Sequence, residues 1–254
     1  VSKVTADVQI SSPVFGGGVS SHIVLNGSDS RQQLLVTHTQ SNTFVADLTR
    51  SVQLNSEPKG LVRINNGLVE PLSNGKGKIY IGDKSKSGSN ITFEVKNVEN
   101  YKQVNFSNSI VPLFTKHGCN GGGCHGKSGG QNGFKLSLLG FEPQEDFEYL
   151  LREARGRRLF PAAPERSLLL LKASGQLPHG GGSRIDPNSF DYKMIVNWMR
   201  QGMPFGQPTD PKLESIEVHP RERVMKKGAQ QQLVVLARMT DGSVEDITHS
   251  SVYE

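Results

Sequence analysis

The chain has 254 residues, of which 35% are hydrophobic and 21% charged, which is ordinary for a globular protein. It contains no run of about 18 apolar residues, which excludes a membrane-spanning helix. The net charge of +5 is too small to indicate a nucleic-acid-binding surface. Since 254 residues exceed the usual single domain of about 100–150 residues, we expect two or three domains.

Residues 1–105 are predicted to form an all-β domain. Short runs at 22–25, 33–37 and 91–95 alternate apolar and polar residues and are rich in strand-forming types. Asn-Gly pairs between such runs indicate turns, and no helical period is present. The pattern predicts a β-sandwich.

Residues 106–207 have a different character, because glycine-rich loops alternate with helical patterns. Apolar residues recur with the spacing of a helix near 147–154, 167–171 and 192–199. Helix content is therefore expected to rise sharply in this segment, which surrounds the two cysteines of the chain.

The segment 119–126 contains both cysteines, and a histidine directly follows the second. The pattern Cys-x-x-Cys-His is typical of covalent c-type haem attachment, and here the loop is two residues longer. The thiols of Cys119 and Cys124 can form thioethers with the haem vinyl groups, which places His125 as the proximal iron ligand. The glycines at 121–123 allow the longer loop to bulge.

Two other interpretations of the cysteines are weighed against haem. A disulfide between Cys119 and Cys124 would make His125 incidental and indicate a haem-free adhesion or interaction protein. A structural zinc site needs four ligands, and the chain has no second Cys/His pair at a suitable spacing. Haem attachment is favoured over both.

Residues 208–254 begin with a linker and then repeat part of the N-terminal pattern. At a constant offset of 199, the Gln-Gln-Leu of 32–34 recurs at 231–233, and 8 of the 21 positions from 31 to 51 are identical. We predict an incomplete second β domain here. Because the sequence stops before this copy can close a sheet, we expect it to be a piece of a longer protein.

The repeated pattern, Gln-Gln-Leu followed by Asp-Leu-Thr-Arg or Asp-Ile-Thr-His, resembles bacterial Ig-like group 2 domains. The middle segment resembles the c-type cytochrome domain of large multidomain proteins from planctomycetes. That resemblance is carried by residues 114–116, 119–126, 133–138, 140–143, 155–158, 164–167 and 178–184. Together the resemblances imply an Ig-like sandwich at 1–105, a mainly α cytochrome c-like domain at 106–207, and the start of a second sandwich at 208–254.

The resemblance also suggests a second axial ligand. In small cytochromes c this ligand lies on a loop before the C-terminal helix, usually as Met-Pro. The loop at 176–182 has no methionine, and His179 occupies the equivalent region. We therefore expect a His125/His179 iron, which should lower the reduction potential relative to Met/His ligation. The alternatives are Met203 and an open position, and an open position would favour a haem enzyme or gas sensor.

Arg155, Arg158 and Arg184 are candidate partners for the haem propionates, since guanidinium groups bind carboxylates through paired hydrogen bonds. The expected function is one-electron transfer by a module with one covalent haem c, and the pattern favours an electron carrier over an enzyme. An unidentified redox protein and further domains of the same polypeptide are the expected partners, without nucleic acid. Thioether attachment implies the periplasm or the cell surface.

Overall fold

A computed structural model describes residues 6–41, 43–82 and 89–253 of the chain. Contacts divide them into two units. The β unit contains the residues up to Lys102 together with Leu213–His249, and the inserted unit contains Gln103–Lys212 with residues 250–253. The domains expected at 1–105, 106–207 and 208–254 stay a prediction, because grouping by contacts does not show what folds independently.

The N-terminal part of the β unit contains three small sheets among the described residues. Its strands are β1 (Ala6–Val14), β2 (Gly18–Ser20), β3 (His22–Asn26), β4 (Gln32–Gln33), β5 (Leu35–Gln40), β6 (Thr43–Asp47), β7 (Leu54–Glu57), β8 (Val62–Asn65), β9 (Leu68–Pro71), β10 (Gly75–Ile81) and β11 (Asn90–Lys96). The sheet orders are β2-β1-β5-β6, β3-β11-β10-β7 and β4-β9-β8. β3 pairs with β11 in parallel, whereas β10 pairs with β11 antiparallel.

Alternation of side chains explains why β11 lies at the core of this part. Ile91, Phe93 and Val95 are buried, while the residues between them are more exposed, as the period of two in a strand requires. They pack with Leu25 of β3 and Ile79 of β10 in one apolar cluster.

The C-terminal part of the β unit is a sheet of three antiparallel strands. Its order is β12 (Leu213–His219), β13 (Val234–Met239) and β14 (Val244–Asp246). Val234 and Leu236 of β13 pack against Leu35 of β5, which belongs to the first copy of the repeat.

The inserted unit contains four short helices, α1 (Val111–Lys116), α2 (Pro143–Leu151), α3 (Leu168–Ala173) and α4 (Phe190–Arg200). A π-helical turn at Phe106–Ile110 leads into α1. Ser189 caps α4 by accepting a hydrogen bond from the backbone N–H of Tyr192. Trp198 of α4 is fully buried and packs with Phe106 at the centre of this unit.

The expected fold class, a mainly α cytochrome c-like domain between two Ig-like sandwiches, is wrong. Strands make up 30% of the structure and helices 20%, in four sheets among the described residues. The four α-helices have only 6, 9, 6 and 11 residues, and loops or single turns join them.

Local backbone chemistry explains the error. Eight of the sixteen residues from 118 to 133 are glycine, and each glycine in a helix costs about 1 kcal/mol relative to alanine. The helical pattern at 147–154 also overestimates α2, which ends at Leu151. Ala154 and Arg155 then take φ values of 51° and 62°, which a right-handed helix does not permit.

Candidate functional site

The Cys119–His125 loop follows directly on α1 and is closed by its own backbone. The N–H of Cys119 donates to the carbonyl of Phe114 at 2.7 Å, and the N–H of His125 donates to the carbonyl of Cys119 at 3.0 Å. A Cβ built on Gly126 would lie 2.0 Å from the carbonyl oxygen of Asn120, so only glycine fits the turn that follows the histidine. The loop therefore holds Cys119, Cys124 and His125 on one compact turn.

Both cysteines are half-buried free thiols. Burial raises the pKa of the Cys119 thiol to about 11, although the positive charge of Arg184 acts in the opposite direction. In the structure the two sulfurs are not joined to one another, so both are present as thiols.

His125 is oriented by a backbone carbonyl. Its Nδ1 lies 3.0 Å from the carbonyl oxygen of Phe134. Because a carbonyl only accepts, Nδ1 carries the proton, and Nε2 is left as the lone-pair nitrogen. Burial lowers the pKa of His125, with a hydrogen bond to Phe134 opposing the shift and the nearby charge of Arg158 adding to it. The lower pKa favours the neutral imidazole, which is the form that binds a metal.

His179 is held in the same way on the loop before α4. Its Nδ1 lies 2.9 Å from the carbonyl oxygen of Gly182, which again leaves Nε2 as the lone-pair nitrogen. The rings of His125 and His179 are 8° from parallel, and their centroids are 6.3 Å apart.

Two imidazoles bound to one metal ion can have ring centres about 6 Å apart, because metal–imidazole bonds are about 2 Å long and each nitrogen lies about 1 Å from its ring centre. A carbonyl acceptor on the second nitrogen is also the usual partner of a metal-bound histidine. His125 and His179 are therefore the side chains here that could hold a haem iron.

Arg158 is almost fully buried, with 5% exposure, and binds backbone carbonyls. Its guanidinium donates to the carbonyls of Tyr149 at 2.8 Å and Glu153 at 3.0 Å, and also to that of Gly133. It also lies 4.5 Å above the ring centre of Phe134. Arg158 thus fixes the segment whose carbonyl orients His125, and its expected contact with a propionate stays a prediction.

The other two candidate arginines are exposed. Arg184 donates from Nε to the carbonyl of Gly181 at 2.7 Å. Its positive charge partly offsets the effect of burial, which raises the pKa of Cys119. Arg155 lies in the turn after α2. Their roles toward propionates stay predictions, as does the alternative of Met203 as ligand. Met203 is half-buried after α4, and its side chain packs against the core of the inserted unit.

An ionic cluster beside the cysteine loop escaped the sequence analysis. Asp191, with 4% exposure, accepts hydrogen bonds from Lys116 Nζ at 2.5 Å and from His117 Nε2 at 2.8 Å. These bonds join the end of α1, just before Cys119, to the first turn of α4. Burial alone would raise the pKa of Asp191, but the hydrogen bonds from His117 and Lys116 bring it below its ordinary value. The local signal for this cluster was the pair Lys116-His117, which ends two residues before Cys119.

The described residues contain no group of three or more His, Cys, Asp or Glu side chains that could hold a metal ion. A site made from protein ligands alone, such as structural zinc, is therefore not found in that part of the chain. The side chains that could instead hold a haem are Cys119, Cys124 and His125 on one loop, together with His179.

Comparison with known proteins does not identify a family for this chain. No protein-family model matches the chain, and no curated protein matches it. Among the residues that the structure describes, no helix is both long enough and apolar enough to cross a membrane.

Proposed function

We propose that the inserted unit carries one covalently bound haem c and serves in one-electron transfer. Cys119 and Cys124 would form the thioethers, and His125 and His179 would be the axial ligands. The supporting observation is the pair of nearly parallel imidazoles, 8° apart in plane and 6.3 Å apart between centroids, each with Nδ1 on a backbone carbonyl.

The haem iron supplies reversible one-electron chemistry when bound. The chain's part is to hold both imidazoles in fixed tautomers, through the carbonyls of Phe134 and Gly182. Such carbonyl acceptors raise the basicity of a histidine ligand. Two imidazole ligands also leave no open position, which favours an electron carrier over a haem enzyme or gas sensor.

The same proposal includes the place and partners of the protein. Thioether attachment of haem takes place outside the cytoplasm in bacteria of the kind that the middle segment resembles, which supports the periplasm or cell surface. The partner is a redox protein that approaches the half-buried Cys119–His125 loop, and further parts of the same polypeptide are the other candidates.

Visible spectra of the chain, co-expressed with a cytochrome c maturation system, test the proposal. We expect a pyridine haemochrome typical of two thioethers, a mass increase of one haem, and a low-spin reduced spectrum that CO does not change. The His125→Ala variant should lose the low-spin spectrum, and His179→Ala should become CO-sensitive. His179→Met should raise the reduction potential.

Met203→Leu is the matched control and should leave the spectrum unchanged. A chain that leaves the maturation system without haem would overturn the proposed function. If the low-spin spectrum persists in His179→Ala and is lost in Met203→Leu, the second iron ligand is Met203 and not His179, and the haem assignment stands.

A further inference from the structure

The two copies of the repeat contact one another inside the β unit. In one direction, Asp246 of the second copy binds the Gln-Gln pair of the first. Its Oδ2 accepts from the backbone N–H of Gln33 at 2.6 Å and from Nε2 of Gln32 at 3.1 Å.

The equivalent residues, 199 positions away in the sequence, make the same contact in the opposite direction. Asp47 of the first copy binds the Gln-Gln pair of the second. Its Oδ2 accepts from the backbone N–H of Gln232 at 2.7 Å and from Nε2 of Gln231 at 2.7 Å. Each copy therefore gives the same donors and the same acceptor to the other.

A third pair of contacts follows the same rule. Gln33 Oε1 lies 2.8 Å from Nε2 of His249, and Gln232 Oε1 accepts from Nε of Arg50 at 3.1 Å. Position 50 plus 199 is 249, so these are again equivalent places in the two copies.

Apolar residues join the same two segments. Leu35 lies in one buried cluster with Val234, its equivalent 199 positions later, and with Leu236. Reciprocal contacts between equivalent residues, as in the polar pairs above, are the property of a two-fold interface like that of a symmetric dimer.

The shared Asp-x-Thr pattern builds the same local turn in both copies. Asp47 Oδ1 accepts from the N–H of Thr49 at 2.7 Å, and Asp246 Oδ1 accepts from that of Thr248 at 2.9 Å. One carboxylate oxygen thus closes the turn, and the other is left for the opposite copy. Gln32, Gln33, Asp47 and Thr49, which make these contacts, are thus among the eight positions that are identical in the two copies.

We propose that the repeat is a self-pairing module, whose partner is a second copy of the same repeat bound with two-fold symmetry. In the first copy the pairing face consists of Gln32, Gln33, Leu35, Asp47 and Arg50. This face carries both the donors and the acceptor, so it is complementary to itself. A partner of another kind would need a carboxylate and a Gln-Gln pair in the same arrangement, since partly buried polar groups require partners.

Within one chain the two faces occupy each other, because tethering favours the intramolecular pair over an encounter between molecules. When one face is disabled, the other is released intact. The released face then pairs with the same face of a second molecule, which makes a symmetric dimer from a chain that was monomeric.

Light scattering after size exclusion, on the full chain over a range of concentrations, tests this inference. The unaltered chain should have the mass of one chain. Asp246→Lys should have a concentration-dependent mass that rises toward two chains through the first copy, and Asp47→Lys should do the same through the second. The double variant, with no intact face, should stay at one chain.

Circular dichroism would show whether Asp246→Lys fails to fold. The isosteric variant Asp246→Asn provides a second test that disturbs the fold less. Its single carbonyl oxygen can keep the turn with Thr248 or the contact with Gln33, but not both, so the mass should rise in the same direction by less. An Asp246→Lys chain that is folded and monomeric at every concentration would overturn the proposal, as would a double variant that dimerises like the single ones.

Discussion

The guanidinium of Arg158 lies 4.5 Å above the ring of Phe134, and the carbonyl of the same phenylalanine fixes the imidazole of His125. One buried cation therefore holds the segment that sets the tautomer of the expected proximal ligand. Its charge is compensated by backbone carbonyls, by the aromatic face and by the carboxylate of Glu153 at 3.7 Å.

Replacing Arg158 should destabilise the inserted unit. Arg158→Gln removes the charged donor from the carbonyls of Gly133, Tyr149 and Glu153, and a hydrogen bond to a charged group contributes about 1.5–3 kcal/mol. Urea unfolding should show a loss of a few kcal/mol, and Arg158→Lys should recover little of it, because an ammonium lacks the planar fork. The matched control is Arg157→Gln, at an exposed neighbour. Equal effects of the two Gln variants would contradict a specific role for Arg158.

Gly126→Ala should disrupt the cysteine loop, whereas Gly129→Ala should be tolerated. The added Cβ would lie 2.0 Å from the carbonyl oxygen of Asn120 in the first case and has nothing within 4 Å in the second. Forcing a methyl group into a packed site costs about 1–3 kcal/mol. Urea unfolding of both variants measures the difference, and the yield of haem-loaded protein should fall only for Gly126→Ala. A stable Gly126→Ala variant would show that the turn can relax.

The thiol of Cys119 should react slowly in haem-free protein. With its pKa raised to about 11, the thiolate fraction at pH 8 is small and grows about tenfold per pH unit. Alkylation of the Cys124→Ser variant by iodoacetamide, followed by mass spectrometry from pH 7 to 10, measures this. Adding Arg184→Gln should slow the reaction further, because Arg184 lowers the pKa of this thiol. A rate that levels off below pH 9 would contradict the prediction.

Asp191 should make stability depend on acid pH. Its pKa is lowered in the folded protein, so its contribution is present above the unfolded value of about 3.9 and is lost as pH falls through the folded value. Asp191→Asn should cost about 2–3 kcal/mol at pH 7, and the difference from the unaltered chain should shrink as the pH falls below about 4. Urea unfolding from pH 7 into this acid range is the measurement. The matched control is Asp186→Asn, at an exposed carboxylate that binds the nearby Asn188, and it should cost less than Asp191→Asn at pH 7.

Local patterns in the sequence were informative where neighbouring residues determine the structure. The alternation at Ile91, Phe93 and Val95 marks a strand with one buried face, and the glycines around Cys119 and Cys124 mark a tight loop. The candidate histidine at 125 came from a local motif and the one at 179 from the resemblance to small cytochromes c, and their ring centroids are 6.3 Å apart in the structure.

Contacts between residues far apart in the sequence could not be predicted from local patterns. Asp191 binds Lys116 across 75 positions, and Asp246 binds Gln33 across 213, and no local period encodes such partners. The length of helices was also misjudged, because a helical stripe of apolar residues does not show where the backbone turns to positive φ, as it does at Ala154. The fold class failed for this reason, since loops occupy much of a segment that was expected to be helical.

The return of Leu213–His249 to the strands before Lys102 has a mechanical consequence. Both connections of residues 103–212 begin and end in one folded unit. Tension applied between β1 and β14 would therefore load the contacts of Asp47 and Asp246 with the opposite Gln-Gln pairs, and it would reach the helices and the cysteine loop along the chain only after those contacts part.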